Sequence, residues 1–256
     1  MGQHGKHRPL VDLRAACLAA ALAAGLAASL ATGLAGAAAA ADCRLALVLA
    51  LDVSSSVDSS EDALQRGGLA SALLAPEIQE ALFAGDLPIA IAAFEWSGRY
   101  NHEILVDWTL VDSPEALLSV AQAIGGSTRS HDEFPPAMGY ALGFASTLLQ
   151  RAPACLFQTI DVAGDGENNE GFAPSRAYRH FAFADVVVNG LAVDGPGDVE
   201  DSSLVNYYRN EVIRGPGAFV EVAAGFEDYE RAMRRKLERE LRPRVIGGLT
   251  PQDDNG

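Results

Sequence analysis

Lysine is almost missing from this chain. Lys6 and Lys236 are the two in 256 residues, so a reaction needing a lysine beside a phosphoryl group has one candidate past the amino-terminal region. Cysteine is limited to Cys17, Cys43 and Cys155. No Ser-His-Asp or Cys-His constellation suggests itself, so a Ser or Cys nucleophile has no candidate set. His102, His131 and His180 stand alone, without metal-ligand spacing, and read as surface residues. There is no glycine-rich phosphate loop, no internal repeat and no low-complexity linker. Positive charge is scarce overall. Nineteen Lys and Arg face 34 Asp and Glu, for a net charge of −15. Such a balance argues against nucleic acid and against anionic membrane surfaces as partners.

What the chain does have begins with a basic segment, Lys6 to Arg14, then an Ala/Leu-rich run from Ala15 to Ala41, then Asp42-Cys43. That is the layout of a Sec-type secretory signal peptide, with cleavage expected between Ala39 and Asp42. The run is also long enough to span a membrane, so a retained anchor is the alternative. No twin-arginine pair is present. Cys17 does not suit lipid attachment, because Arg14 sits where an apolar residue is wanted. The expected organisation is a signal peptide over 1–41, one domain over 42–242 and a frayed tail over 243–256. Without residues 1–41 the chain loses Lys6, Arg8, Arg14 and Asp12. It then carries 16 basic and 33 acidic residues, a net charge of −17. The expected location is periplasmic or secreted, with no stable membrane association once the signal is removed.

The most informative stretch is Leu45-Ala46-Leu47-Val48-Leu49-Ala50-Leu51 followed by Asp52-Val53-Ser54-Ser55-Ser56. Seven apolar residues in a row read as a strand buried on both faces, as in parallel sheets. Asp52, Ser54 and Ser56 are two residues apart, and a turn there aims three oxygens at one point. Oxygen-only ligands suit a hard cation such as Mg²⁺, or Mn²⁺. The plainer reading is a helix start, with Ser56 or Asp58 as N-cap and Glu61 and Asp62 in the first turn.

Apolar runs alternate with amphipathic stretches, the pattern of a doubly wound α/β fold. Strands are expected near Leu45–Leu51, Leu87–Phe94, Tyr100–Thr109, Cys155–Val162, Asp185–Val193 and Ala218–Ala223. Helices are expected over Ser59–Leu74, Pro76–Phe83, Ser113–Ile124, Pro136–Gln150, Pro174–Phe183, Ser203–Arg214 and Phe226–Leu241. The third strand alternates, so it reads as half exposed.

The D-x-S-x-S motif after an apolar strand, with this order of elements, resembles von Willebrand factor type A domains. The Glu95-Trp96-Ser97-Gly98 segment, the Asp161–Asn169 loop and Gly215-Pro216-Gly217-Ala218-Phe219 are similar to an exported bacterial subgroup of unassigned function. The resemblance implies a mostly parallel six-stranded sheet in the order 3-2-1-4-5-6, with one antiparallel edge strand and helices on both faces. It implies a metal-ion-dependent adhesion site in which Asp52, Ser54 and Ser56 bind Mg²⁺ with help from Asp165, in Gly164-Asp165-Gly166. An ordinary Asp-Gly turn is the other reading of that loop. The family often has a Thr three residues before the Gly of its G-x-A-L helix start. Here Gly139-Tyr140-Ala141-Leu142 matches, but Pro136 stands at that place. Thr128 is the nearest candidate, and Asp132 or Glu133 are alternatives for completing the set. Asp161, inside the fourth strand, is expected as a second layer, hydrogen-bonding the loops around Asp52. Glu95 reads as a solvated strand end, and Trp96 and Trp108 as covers of the sheet edge. If Asp52 and Asp165 meet, Cys43 and Cys155 lie nine and ten residues earlier, at similar depth on neighbouring strands, and a Cys43–Cys155 disulfide is expected. The alternative is two buried thiols.

Two functions follow. The first is a metal-dependent, adhesion-type binding module that takes an acidic residue of an unidentified protein partner, without turnover. The second is a haloacid-dehalogenase-like, Mg²⁺-dependent phosphatase with Asp52 as nucleophile, because Gly164-Asp165-Gly166-Glu167-Asn168-Asn169 looks like that family's loop. Against it, Ser54 stands where the general acid belongs, and Lys236 lies in the terminal helix.

Overall fold

A computed structural model of the chain describes residues 1–2, 41–195 and 202–242, and the chain divides into two units between Ala40 and Ala41. The expected signal peptide and the 243–256 tail lie outside the described residues. Among the described residues no helix is long and apolar enough to cross a membrane.

The apolar run forms strand β1 (Cys43–Asp52), buried along nearly its whole length. Its side chains sort by parity, as a strand requires. Leu45, Leu47, Leu49 and Leu51 face one core cluster, and Ala46, Val48 and Ala50 face the other. The leucine side packs against α1 (Ser59–Leu73), α2 (Pro76–Phe83), α3 (Pro114–Gly125) and α7 (Tyr229–Leu241). The small side lets α4 (Met138–Leu149) come close, with Ala141, Leu142 and Ala145, beside α5 (Pro174–His180) and α6 (Ser203–Tyr207). The remaining strands are β2 (Ile89–Ser97), β3 (Asn101–Val111), β4 (Cys155–Gly164), β5 (Val186–Asp194) and β6 (Val220–Ala224). The sheet order is β3-β2-β1-β4-β5-β6, parallel throughout except for the antiparallel β2–β3 pair. The doubly wound fold, its strand order and its antiparallel edge are therefore as the sequence implied. Edge strand β3 is partly exposed, and register shifts against β2 interrupt its alternation.

Cys43 pairs in register with Cys155, and the two form a disulfide with Cα atoms 4.5 Å apart. Helix α6 is shorter than expected. Its chain widens into a π-helical turn, Tyr208–Val212. There the Tyr208 ring lies over Gly190, where a Cβ would stand 2.5 Å from the ring. Helix α4 starts two residues late, because the Pro136 carbonyl is taken by Asn169 N (2.9 Å) and Glu170 N (3.1 Å). In such sheets ligands bind beyond the carboxyl ends of the strands where the winding reverses. Between β1 and β4 that point holds Asp52 and the loop after Gly164.

Candidate metal centre

Asp52 ends β1 and is fully buried. Gln65 Nε2, from α1, donates to its carbonyl at 2.6 Å, and Val53 N donates to Trp96 O at 3.0 Å. The chain then turns back on itself: Ser54 N donates to Asp52 Oδ1 at 2.8 Å. Asp58, not Ser56, caps α1, in a capping box with Glu61. The helix-start reading of this segment thus holds for Asp58, and the Ser54 and Ser56 hydroxyls take no part in the cap.

The serine hydroxyls line up toward the second loop. Ser56 Oγ donates to Asp165 Oδ1 at 2.6 Å, and Ser54 and Ser56 Oγ are 3.1 Å apart. A hydroxyl has one proton, so with Ser56 committed to Asp165, Ser54 is the donor to Ser56. Asp52 Oδ2 is buried and has no hydrogen-bond partner. Gly164 makes room beside it, since a Cβ there would lie 2.6 Å from Asp52 Oδ2 and 2.9 Å from Tyr208 Oη. Tyr208 Oη is itself buried without a partner.

Burial pushes the Asp52 carboxyl up to about 8, and the Asp165 charge adds to the shift; Ser54 and Arg129 pull the other way. Asp165 is also raised, chiefly by burial. The two loops therefore set two desolvated carboxyls near each other, one with an unpaired buried oxygen, beside two hydroxyls. Among the described residues no three His, Cys, Asp or Glu side chains gather as a metal group. Any cation here would depend on serine oxygens as well as carboxylates, a donor set for a hard ion.

The third loop departs from the expected set. Thr128 is exposed, and Asp132 and Glu133 are exposed too. It is Arg129 that reaches in. Its guanidinium donates to the carbonyls of Val57 (2.7 Å), Val53 (2.8 Å), Ser54 (3.0 Å) and His131 (2.9 Å). Pro136 stands at the rim, where its Cγ would lie 3.2 Å from a Cβ on Gly166. A proline offers no side-chain oxygen, so this loop latches the Asp52 turn without adding a donor.

Asp161 does not turn toward the Asp52 loop as expected. It lies in register with Leu49 and Asn189 and forms a buried ion pair with Lys236 of α7. Lys236 also donates to Glu240 Oε1 (2.6 Å), which accepts from Asn189 Nδ2 (2.6 Å) as well. A carboxylate this deep needs a charge partner, and the terminal helix supplies it. Glu95 is not solvated either. It is buried, pairs with Arg66 and accepts from Ser130 N at 2.8 Å. Arg66 in turn holds Asp62 and the Ser127 hydroxyl, so the pair ties α1 to the third loop. Trp96 is fully buried, and Trp108 is half-buried with its Nε1 on Leu148 O at 3.0 Å. His102 is half-buried and stacked on Phe144 at 4.8 Å. Arg129, Gln65 and Tyr208 were not singled out from sequence; their roles arise from contacts between distant loops that carry no local motif.

A match to the family described as "Protein of unknown function (DUF1194)" covers residues 42–245. The chain belongs to the DUF1194 family. No curated protein matches it. Among solved structures, the DUF1194 chain is similar to a von Willebrand factor type A protein from Catenulispora acidiphila, at 13% identity and a TM-score of 0.54, over 78% of this chain and 43% of that one. It is similar to proximal thread matrix protein 1 from the mussel byssus, solved with a zinc-occupied MIDAS motif, at 13% identity and 0.53, over 78% and 48%. It is also similar to the pilus adhesin SpaC of Lactobacillus rhamnosus GG, at 12% identity and 0.54, over 78% and 31%. The DUF1194 chain spans about half or less of the length of these structures. They establish a von Willebrand factor type A fold. Nothing among them supports the phosphatase alternative, and Lys236, its one lysine past residue 6, is sealed in the Asp161–Glu240 cluster.

Proposed function

We propose that this DUF1194 chain is an exported binding module that holds a divalent cation, Mg²⁺ or Mn²⁺, through Asp52, Ser54, Ser56 and Asp165. The cation, when bound, supplies a positive charge with an open position for a carboxylate of a protein partner. The observation that carries the reading is Asp52 Oδ2, a buried carboxylate oxygen without a partner at the edge of the Ser54–Ser56–Asp165 chain of hydroxyls. A buried unpaired carboxylate is costly, and a cation is the partner its surroundings lack.

Each residue then has a task. Ser54 N orients the Asp52 carboxyl, Ser56 bridges the two loops, and Asp165 brings the second negative charge. Arg129 and Gln65 hold the Asp52 turn by its backbone. Such a charge reversal lets a strongly acidic protein hold an acidic partner. The mussel protein with its zinc-occupied motif and the SpaC adhesin, which share the fold, are in keeping with this reading. The disulfide fits an oxidising compartment outside the cytoplasm. Binding without turnover is the behaviour expected of such a site.

Isothermal titration of Mg²⁺ and Mn²⁺ tests this directly. Wild-type protein should give saturable heat that Asp52→Ala abolishes. Heat that is absent, or that survives Asp52→Ala, would overturn the proposal. Asp52-dependent hydrolysis of p-nitrophenyl phosphate would restore the phosphatase reading.

A further inference from the structure

A cleft of about 450 Å³ opens between α4, α5 and the turn after β2. It shares no residue with Asp52, Ser54, Ser56 or Asp165. Its volume falls in the range of small-ligand sites, roughly 300–1,000 Å³. Its lining runs against the charge of the whole protein. Arg99, Arg176 and His180 stand on it, and no carboxylate does, although acidic residues outnumber basic ones 34 to 19. Arg99 is partly offset by Glu170, 3.0 Å away. Arg176 has no acidic partner among the described residues.

The floor is aromatic and closely built. Tyr140 and Phe172 stack with ring centroids 4.1 Å apart and planes 29° apart, and Phe181 follows at 6.3 Å and 26°. Three bare glycines seat these rings. A Cβ on Gly139 would lie 1.9 Å from the Phe172 carbonyl oxygen. One on Gly143, the next turn of the same helix face, would lie 2.8 Å from Phe181 Cζ. One on Gly171, at φ +72°, would lie 2.3 Å from the Tyr140 ring. Glycine inside a helix costs about 1 kcal/mol relative to alanine, so α4 accepts two weak positions to lay the rings flat.

The geometry points to a second binding site here, for a carboxylate carried on a flat apolar body. The rings supply an offset-stacking surface. Arginine supplies a planar fork that grips a carboxylate by two bonds and stacks on rings. A cation would meet two arginines, and a bare anion would leave the aromatic floor unused. The same chemistry is found in a free aromatic acid and in the carboxyl end of a peptide that finishes on an aromatic residue.

The test uses full-length protein in EDTA, so that no divalent cation takes part, with binding read by ligand-observed NMR and calorimetry. The probes are 3-phenylpropionate for the free acid, N-acetyl-phenylalanine for a peptide end, and propionate, inorganic phosphate and benzylamine as controls. At least one aromatic acid should bind saturably, about tenfold or more above propionate and phosphate, and benzylamine should not bind. The tighter of the two acids identifies the source. Arg176→Gln should weaken binding about tenfold and the Arg99→Gln/Arg176→Gln variant should abolish it, while Asp52→Ala leaves it unchanged. Both arginines are exposed, so these variants should fold. The proposal is overturned if neither aromatic acid saturates, if phosphate or benzylamine binds as well, or if the double variant binds like wild type.

Discussion

The Ser56 hydroxyl donates to Asp165 Oδ1 at 2.6 Å, joining two loops whose residues are 109 positions apart. That one bond turns two separate strand ends into a single oxygen-lined rim. Next to it, Asp52 keeps a buried oxygen with no partner. The rim therefore has a stability signature in the absence of any cation.

Asp52 sets that signature. Burial and Asp165 raise its carboxyl to about 8, so the folded chain holds this proton more tightly than the unfolded chain does. The stability contributed is fully present below about pH 4 and is lost as pH rises toward about 8. A bound cation substitutes for the proton. Mg²⁺ should therefore raise the melting temperature more at about pH 8 than at about pH 5. Asp52→Asn should flatten the fall with pH and remove the Mg²⁺ response. Thermal melts with Mg²⁺ or EDTA at the two pH values check this; an equal Mg²⁺ effect in wild type and variant would contradict it.

Arg129 acts through the shape of its guanidinium. It spans the carbonyls of Val53, Ser54, Val57 and His131, which one ammonium cannot span in the same way. Arg129→Lys and Arg129→Met should both loosen the turn, at about 1–2 kcal/mol. Amide hydrogen exchange over residues 53–57 should rise several-fold in both. Wild-type protection in Arg129→Lys would mean that charge, not the fork, is what matters.

Much of this was legible in the sequence because it is local. Seven apolar residues before Asp52, the prolines at helix starts and the alternation of β3 each report on a single element. Their order along the chain then implies the sheet. The meeting of the second loop with the first was legible too, because Asp165 sits between two glycines directly after a strand. What failed was long-range pairing of charge. Glu95 looked like a solvated strand end because Arg66, 29 residues earlier, gives no sign of reaching it. Asp161 looked like support for the Asp52 loop because its true partner, Lys236, lies on the last helix. Thr128 was favoured as a hydroxyl after two glycines, yet the loop directs its neighbour Arg129 inward instead.

Lys236 pairs with two buried carboxylates at once, Asp161 and Glu240. Lys236→Met removes the cation that the two carboxylates share and leaves like charges facing each other, which should cost about 3–5 kcal/mol. The double variant Lys236→Met/Asp161→Leu removes one of the stranded charges and should recover part of the loss. Urea midpoints of the three proteins would decide it. A double variant less stable than Lys236→Met would mean that Asp161 has another partner.

His102 gives the acid limb of the stability curve. Burial lowers its imidazole to about 4, and its Nε2 has no partner. The folded chain thus prefers the neutral ring, packed on Phe144. The contribution is present above its ordinary value of 6.5 and is lost as pH falls through about 4. His102→Leu should flatten stability over that window while leaving the curve near neutral pH unchanged. Urea unfolding across the acid range measures it, and a wild-type slope in the variant would rule the assignment out.

Cys43 and Cys155 close a loop of 112 positions at the end of β1 and β4 opposite the oxygen-lined rim. Cross-linking so long a loop removes unfolded-chain entropy equivalent to about 3–5 kcal/mol. For a domain of this size that corresponds to roughly 10 °C in melting temperature. The Cys43→Ser/Cys155→Ser variant should show that drop by circular dichroism. The rim should not change, because β1 and β4 are also held by their ladder along the intervening residues and by the packing of both clusters. Titrated well below its melting temperature, the variant should retain the cation affinity of wild type. Loss of affinity in a folded variant would mean that the covalent end of the strands helps set the loops at the other end; an unchanged melting temperature would mean that the ladder alone fixes the register.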